Sequence, residues 1–476
     1  MEEQANLRVT SDQAPVVLLR DSFRTAKRIR VARVSGAAAA PAHRLVLANV
    51  RCWDAQESLF SEGLRAVVVE GETISAVSED AAAVVGAAAA RNDIVIDCGG
   101  MWLLPGLCDA HVHCTAVTAD LAGLQSLPES LVTAGAAEIL GGMLLRGFTT
   151  VRDAGGADWG LAQAVDDGSI LGPRILFTGA QLGWRLVLGT GGHGDFRGKG
   201  EDCCACGAAL RGIGRVCDGV GECRRAARDE LRRGAHCIKV MASGGVASPT
   251  DRLTNTQFSL EELRAIVEEA EAAGTYVCAH AYKPSAIKRA LQCGVRSIEH
   301  GNWLDEECAA MMVERGAFLV STTVTYAALR RDGVKAGMAE ALVAKVADAV
   351  EQGLASIRLA RSAGVTLCFG SDLLGELHQH QSEEFLLRAQ AGVTPVEAIQ
   401  QATSNCARLF GLEDVLGAVA PGRRADLVLL SRDPSLDASA LAEPQSSVRL
   451  VIKEGLLAAV PGGTAGAALA AANTRL

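Results

Sequence analysis

The central part of the chain alternates short apolar segments with longer amphipathic ones. Eight segments have the pattern of buried strands: 106–113, 149–153, 174–178, 236–240, 275–280, 296–300, 317–321 and 365–370. Helical segments between them include 259–273, 284–292, 305–315, 338–363 and 395–409. Ser259 and Glu262 predict a capping box at the start of the first of these helices. Eight strands with intervening helices predict an α/β fold, a (β/α)8 TIM barrel over residues 105–414.

Segments rich in strand-forming residues flank this region on both sides. Residues 43–104 and 415–460 contain short β-type runs separated by Gly, Asn and Asp. Because chain ends often lie close together, these segments predict one small β-sandwich domain built from both, with an antiparallel sheet. Residues 1–42 are expected to be a partly disordered extension, and residues 461–476 a flexible tail.

Composition argues against several function classes. The net charge of −9 argues against binding to nucleic acid or to a membrane surface, since both favour basic patches. No apolar run approaches the length of a membrane span, and the first residues lack a secretory signal pattern. We therefore expect a cytoplasmic protein, although basic residues in 20–33 leave a transit peptide open. The 15 scattered cysteines predict reduced thiols, including a loop with free thiols within 197–223.

Polar side chains stand at the ends of five predicted strands. Catalytic groups of a barrel lie at the C-terminal ends of its strands, so these side chains are expected to converge. They are His111, His113, Lys239, His280, His300 and Asp372. His111 and His113 are two residues apart on one strand and face the same side, which favours a shared metal ion. By contrast, His236 at the start of the fourth strand is expected to be structural, and His378 and His380 to lie in a solvated loop.

Six motifs carry a family resemblance. They are P-G-L-C-D-A-H-V-H (105–113), I-K-V-M-A-S-G-G (238–245), A-H-A-Y (279–282), I-E-H-G (298–301), F-G-S-D (369–372) and G-x4-G-x2-A-D-L-V (417–428). Over residues 43–457 the chain resembles the metal-dependent amidohydrolases of the binuclear, carboxylated-lysine type. Segments 239–246 and 324–329 are most similar to prolidase-like Xaa-amino-acid dipeptidases and ochratoxin-hydrolysing amidases, which cleave an amide before a carboxylate-bearing amino acid.

The resemblance implies two divalent metal ions, of which zinc is the expected kind. His111, His113 and Asp372 would hold the more buried ion, and His280 and His300 the more exposed one. Lys239, carboxylated by CO2, would bridge both ions, as would a hydroxide. Burial of Lys239 on a strand would favour the neutral amine that reacts with CO2.

The implied catalytic residues are Asp372, Lys239 and His193. In the implied mechanism Asp372 accepts the proton of the attacking hydroxide and returns it to the leaving amine. His193 lies in a glycine-rich loop after the third strand, and it is expected to contact the substrate together with Tyr282 and Tyr326.

The sequence therefore predicts a hydrolase that cleaves the amide bond before a C-terminal amino acid in dipeptides or N-acyl amino acids, including ochratoxin-type amides. Two alternatives stay open at this point. One is a hydrolase of cyclic amides, similar to imidazolonepropionase, and the other is a non-catalytic scaffold that keeps the fold. The expected partner is a small-molecule substrate, and relatives of this kind suggest a homo-oligomer. Pocket preference depends on loops whose conformation the sequence does not give.

Overall fold

The computed structural model describes residues 8–9, 44–91, 93–124, 126–183, 213–248 and 251–459. Its strands, in chain order, are β1 Arg8–Val9, β2 Arg44–Asp54, β3 Leu59–Phe60, β4 Arg65–Glu70, β5 Thr73–Ser78, β6 Ile94–Asp97, β7 Trp102–Pro105, β8 Leu107–Val112, β9 Phe148–Asp153, β10 Arg174–Phe177, β11 Gln181–Gly183, β12 Gly214–Val216, β13 Ile238–Met241, β14 Val277–Ala281, β15 Ser297–His300, β16 Phe318–Ser321, β17 Thr366–Phe369, β18 Leu427–Leu430, β19 Val448–Lys453 and β20 Leu456–Ala459.

The α-helices of the same residues are α1 Ala81–Arg91, α2 Leu121–Leu124, α3 Glu129–Leu145, α4 Trp159–Asp166, α5 Gly219–Arg232, α6 Leu260–Ala272, α7 Pro284–Gln292, α8 Glu306–Arg315, α9 Thr323–Asp332, α10 Glu340–Val343, α11 Ala349–Ala363, α12 Glu384–Gln390, α13 Pro395–Gln401, α14 Ser404–Phe410, α15 Ser439–Ala442 and α16 Pro444–Ser447. Two 3-10 helices span Ala344–Val346 and Gly375–Glu383. None of the described helices is both long and apolar enough to cross a bilayer.

Eight parallel strands surround the site and form the predicted TIM barrel. They are β8, β9, β10, β13, β14, β15, β16 and β17. Their ladders fall into two sheets, and hydrogen bonds of residues beside the strand ends join these sheets. His236 N donates to Phe177 O over 2.8 Å between β10 and β13, and Asp372 N donates to His111 O over 2.8 Å between β17 and β8. His236 Nδ1 also accepts from Phe177 N, which supports the structural role predicted for this histidine.

The predicted helix over 395–409 is two helices, α13 and α14. The Ala402 carbonyl accepts a hydrogen bond from Cys108 N of β8 over 2.7 Å, and Thr403 leaves the helical conformation with φ −135° and ψ −93°. A contact with the first barrel strand therefore interrupts a pattern that looks continuous in the sequence. The predicted helix over 338–363 is likewise divided, into α10, a 3-10 turn and α11.

Both ends of the chain contribute to one β-rich domain, as predicted. β18 pairs antiparallel with β7, the strand that leads directly into the barrel, and β19 and β20 follow it. The expectation of a purely antiparallel sheet is wrong, because β2 runs parallel to both β6 and β7. Parallel neighbours need a crossover, and the segment containing α1 supplies it between β5 and β6.

Most of the predicted extension (1–42) lies outside the described residues. Its residues Arg8–Val9 pair antiparallel with β6. The predicted tail (461–476) also lies outside the described residues.

Candidate metal centre

The six predicted donor groups line one cavity at the C-terminal ends of the barrel strands. Its polar donors are His111, His113, Lys239, His280, His300 and Asp372. Lys239 and the four histidines are buried, whereas the Asp372 side chain is 19% exposed and faces the opening. The six residues that the sequence singled out at strand ends therefore lie together in the structure.

The donor atoms lie within a few ångströms of one another. Asp372 Oδ1 is 3.5 Å from His111 Nε2 and 3.3 Å from His113 Nε2. Lys239 Nζ is 3.4 Å from the same His111 nitrogen. One donor atom from each of His111, His300 and Asp372 lies within 4.8 Å of the other two. Such a cluster of imidazole and carboxylate donors fits a divalent ion with nitrogen and oxygen ligands.

Hydrogen bonds at Nδ1 orient three of the imidazoles. His111 Nδ1 bonds to Glu299 Oε2 over 2.7 Å, and His113 Nδ1 bonds to Gly155 O over 2.8 Å. His300 Nδ1 bonds to Thr322 Oγ1 over 2.8 Å. Metal-binding histidines use such contacts to fix the tautomer that presents the other nitrogen to the metal.

His280 has the opposite arrangement, with Nε2 placed 3.2 Å from Gly244 O. Nδ1 would therefore be its ligating atom.

Burial disfavours the charged forms of His111 and Lys239. Burial, followed by the charge of Lys239, lowers the pKa of His111 well below its usual range. Burial also lowers the pKa of Lys239 itself. A neutral imidazole can bind a metal ion, and a neutral amine can react with CO2, so both shifts suit the predicted centre.

Two of the predicted donor residues have backbone conformations that residues other than glycine rarely adopt. His300 has φ 71° and Asp372 has φ 52°, both in the left-handed region. Gly301 follows with φ 60°, and a Cβ there would lie 2.6 Å from Leu319 Cδ1. The chain therefore makes tight turns where β15 and β17 end. Conformations of this kind persist where the surrounding structure enforces them, commonly at functional sites.

A buried ion pair supports the first histidine, and the sequence did not point to it. Glu299 Oε1 accepts from Arg152 Nη2 over 2.7 Å, while its other oxygen holds His111. Arg152 Nε also donates to Ala110 O over 2.7 Å. Both side chains are fully buried. The available signal was a charged residue within an otherwise apolar strand, directly before His300 in the case of Glu299.

Asp109 is a second supporting residue that the sequence did not single out. Its Oδ1 accepts from His111 N and from Ser371 N, and its Oδ2 accepts from Ser371 Oγ over 2.6 Å and from Gln381 Nε2 over 2.9 Å. Burial raises the pKa of Asp109 to about 6, and these hydrogen bonds oppose the shift. The carboxylate thus ties β8 to the residue that precedes Asp372.

The two predicted substrate-binding tyrosines lie together in the cavity wall. Tyr326 OH donates to Tyr282 OH over 3.0 Å, and the Tyr282 ring stacks on His300 with centroids 5.3 Å apart. Burial raises the pKa of both phenols, so both are protonated at neutral pH. His193 and the cysteine-bearing residues up to 212 lie outside the described residues.

The expectation for His378 is wrong. His378 and His380 lie in the 3-10 helix Gly375–Glu383, and His378 is only 4% exposed. Its neighbours Leu374 and Leu377 pack into the apolar cluster at the mouth of the barrel, which draws this helix inward. Burial, followed by the charge of Arg146, lowers the pKa of His378 to about 3. His380 is partly buried and pairs with Glu383.

Comparison with known proteins identifies the family. Residues 102–458 match the Amidohydrolase family. Ochratoxinase from Aspergillus niger is 36% identical over 378 residues, which cover 76% of each chain. A prolidase solved with N-methylphosphonate-L-proline is 45% identical and superposes with a TM-score of 0.81, covering 87% of this chain and 99% of that one. A Xaa-Pro dipeptidase with bound methionine is 30% identical, with a TM-score of 0.75 and the same two coverages.

These relatives confirm the resemblance seen in the motifs. The family generally uses divalent metal ions, and the His and Asp donors described above form a site of that kind. The chain thus belongs to the amidohydrolase family and is a hydrolase of amide bonds built on a TIM barrel.

Proposed function

We propose that the protein hydrolyses the amide bond that joins an acyl group to a C-terminal amino acid, in dipeptides or N-acyl amino acids. The observation that carries this proposal is one cavity that holds the six donor groups together with the Tyr282–Tyr326 pair. Similarity to a prolidase, a Xaa-Pro dipeptidase and an ochratoxinase supports the same reaction. The substrate is therefore a small molecule that carries a carboxylate next to the scissile amide.

In this proposal the cavity holds two divalent ions, expected to be zinc. His111, His113 and Asp372 would hold the more buried ion, His280 and His300 would hold the other, and carboxylated Lys239 would contribute to both. When bound, such ions supply Lewis acidity for the carbonyl and lower the pKa of water. The Lys239 amine would lose a proton and form a bond to CO2, and the resulting carbamate offers two oxygens.

Asp372 is the proposed proton carrier of the reaction. Its carboxylate is the most exposed of the donor groups and lies at the centre of the imidazoles. It would accept a proton from the attacking water and deliver it to the nitrogen of the leaving amine.

Tyr282 is the proposed contact for the substrate carboxylate. Its oxygen accepts from Tyr326 OH and also bonds the backbone of Val246. The proton of Tyr282 is therefore directed away from Tyr326, and it can be donated to an anionic acceptor in the cavity. Hydrogen bonds to a charged acceptor are stronger than those to a neutral one.

The remaining wall of the cavity favours apolar substrates. Its side chains include Leu121, Ile213, Met241, Val246, Ala247, Leu329 and Leu374. Apart from the six donor residues, the described lining residues include no charged side chain. Substrates with neutral, apolar acyl groups or side chains are thus expected to react faster than those with charged ones. A charged group would be desolvated against this wall without gaining an ion-pair partner.

A substrate panel tests the proposal. Purified protein with zinc is incubated with Xaa-Pro dipeptides, N-acyl amino acids and cyclic amides, and the released amino acid is measured. We expect release from the first two groups and none from the Asp372→Asn variant. Turnover of cyclic amides alone would replace this proposal with the cyclic-amide alternative.

Metal analysis of the same preparations tests the proposed centre separately. The parent is expected to contain close to two divalent ions per chain, and Lys239→Ala to lose both metal and activity. Full turnover by Lys239→Ala would show that the bridging role is assigned to the wrong residue.

A further inference from the structure

The segment after β13 forms one wall of the cavity. We call its described residues, 242–248 and 251–258, the β13 loop. Val246 and Ala247 of this loop line the cavity, and Gly244 O lies 3.2 Å from His280 Nε2. Ser243 Oγ accepts from Tyr282 N over 3.3 Å. The loop therefore touches both a predicted metal ligand and a predicted substrate-binding residue.

Hydrogen bonds within the chain fix the base of the β13 loop. Gly244 N donates to Asn255 O over 3.1 Å, and Ser243 forms an antiparallel bridge with Thr256. A Cβ at Gly244 would lie 2.2 Å from Arg252 O, so the two limbs of the loop approach closely. The tip of the loop, whose described residues are 245–248 and 251, has two further internal hydrogen bonds: Gln257 Nε2 donates to Asp251 Oδ2 over 2.8 Å, and Asp251 N donates to Ser248 Oγ over 3.2 Å.

Lys345 holds that tip. Its Nζ lies 2.6 Å from Ser248 O, 2.9 Å from Asp251 O and 3.5 Å from Gly245 O. An ammonium group has three N–H donors, and all three are directed at backbone carbonyls of one loop. The side chain is partly buried, so these charge-assisted bonds are shielded from competing water.

This contact spans the mouth of the barrel. Lys345 belongs to the segment after β16 and α9, whereas the loop follows β13, and β14 and β15 separate the two strands in the sheet. The adjacent Val346 is fully buried in an apolar cluster that also contains Val246 and Tyr326. Apolar packing thus places the backbone of Lys345, and its side chain reaches over to the loop.

We propose that Lys345 is a positioning residue that sets the affinity for the substrate by clamping the tip of the β13 loop. This inference rests on the proposed function in taking the substrate to lie in the cavity beside Val246 and Ala247. With the clamp removed, the loop would sample other conformations, and substrate binding would have to order it again. The donor groups of the metal centre lie at strand ends, so the chemical step depends less on the clamp.

Kinetic constants of three variants test the clamp. Lys345→Met keeps the length of the side chain without its charge, Lys345→Arg keeps the donors, and Lys335→Met removes an exposed lysine from the same segment. With the best substrate of the panel, we expect Lys345→Met to raise KM roughly tenfold and to change kcat by less than about threefold. Lys345→Arg should recover part of the affinity, and Lys335→Met should match the parent.

The metal content of Lys345→Met separates the clamp from a merely structural role. It should equal that of the parent. An unchanged KM in Lys345→Met would overturn the proposal. A loss confined to kcat and metal content would also overturn it, because Lys345 would then support the metal centre through Gly244 and His280.

Amide hydrogen exchange tests the clamp without any substrate. In Lys345→Met, peptides that cover the β13 loop should exchange faster than in the parent, while β13 itself and the Lys335→Met variant should be unchanged. Faster exchange in the absence of turnover on the panel would support the clamp and count only against the proposed function. Unchanged exchange would overturn the clamp whichever substrate the enzyme accepts.

Discussion

His111 depends on a carboxylate that is distant in the sequence. Glu299 lies 188 residues further along the chain, and its Oε2 is 2.7 Å from His111 Nδ1. The same carboxylate is paired with Arg152 in a fully buried contact. A buried carboxylate is costly without a partner, and Arg152 supplies that partner beside the imidazole. These two residues are therefore part of the metal centre although neither faces the cavity.

Glu299→Gln is expected to weaken metal binding without removing a ligand. The variant loses the charge that fixes the tautomer of His111, and losses of this kind typically lower metal affinity by about 10- to 100-fold. Zinc affinity is measured by competition with a chelator. Glu351→Gln, which alters an exposed ion pair with Arg330, serves as the matched control. Equal zinc affinity in the parent and in Glu299→Gln would contradict the role given to Glu299.

The convergence of the predicted donor residues could be expected from the sequence because strand ends converge in a barrel. That rule needs only the position of each residue in its own strand, and it applied to His111, Lys239 and Asp372 alike. The supporting residues Glu299 and Asp109 were not predictable in this way. Their partners are set by which side chains meet inside the barrel, and this depends on the register of strands far apart in the chain.

Helix α6 shows which elements local sequence can specify. Ser259 Oγ accepts from Glu262 N, and the Glu262 side chain accepts from Ser259 N over 2.6 Å, as the capping-box pattern predicted. The break between α13 and α14 was not predictable, because it depends on the Cys108–Ala402 contact between segments that are distant in the chain. Local sequence patterns therefore predict where a helix begins better than they predict a break that a tertiary contact imposes within a helix.

Removing the cap of α6 is expected to destabilise the protein without affecting the site. Ser259→Ala leaves the Glu262 N–H of the first turn without its side-chain acceptor, which typically costs about 1 kcal/mol. The shift of the urea unfolding midpoint measures this loss. Ser362→Ala, an exposed serine within α11, should change the stability by less than about 0.5 kcal/mol. A Ser259→Ala variant as stable as the parent would show that water replaces the cap at no cost.

At the scale of the whole molecule, the barrel and the β-rich domain share a buried charge cluster. Arg174 of β10 donates to Asp426 Oδ2 and to Glu454 Oε1, each over 2.8 Å. Asp426 precedes β18 and Glu454 follows β19, so one barrel side chain holds two points of the domain. Asp426 Oδ1 also accepts from Glu454 N, which keeps both carboxylates in place.

Arg174→Met is expected to loosen this junction strongly. It takes the cation from the buried Asp426 carboxylate and leaves the partly buried Glu454 with Lys453 alone, and removing one partner of a buried pair costs about 3 kcal/mol or more. The urea midpoint should fall accordingly. Arg330→Met, which breaks an exposed pair with Glu351, should cost less than about 1 kcal/mol. Equal losses of stability in the two variants would show that water reaches the Arg174 cluster and that its burial does not strengthen the ion pairs.

The buried His378 makes the stability of the whole molecule depend on pH. Its pKa in the folded protein is about 3, against 6.5 in the unfolded chain. Between these two values the unfolded chain binds a proton that the folded protein excludes. Stability from this group is therefore complete above pH 6.5 and is lost as the pH falls.

His378→Leu is expected to remove this dependence, since leucine fills a similar volume and does not titrate. The free energy of unfolding of parent and variant is measured by urea at several pH values, with chelator present so that bound metal does not contribute. Relative to the variant, the parent should lose about 2 kcal/mol between pH 6.5 and pH 5, at about 1.4 kcal/mol per pH unit. Above pH 7 the difference between the two proteins should stay constant, whatever its size. Parallel curves over the whole range would mean that His378 takes up a proton while folded, and that its surroundings open to water in acid.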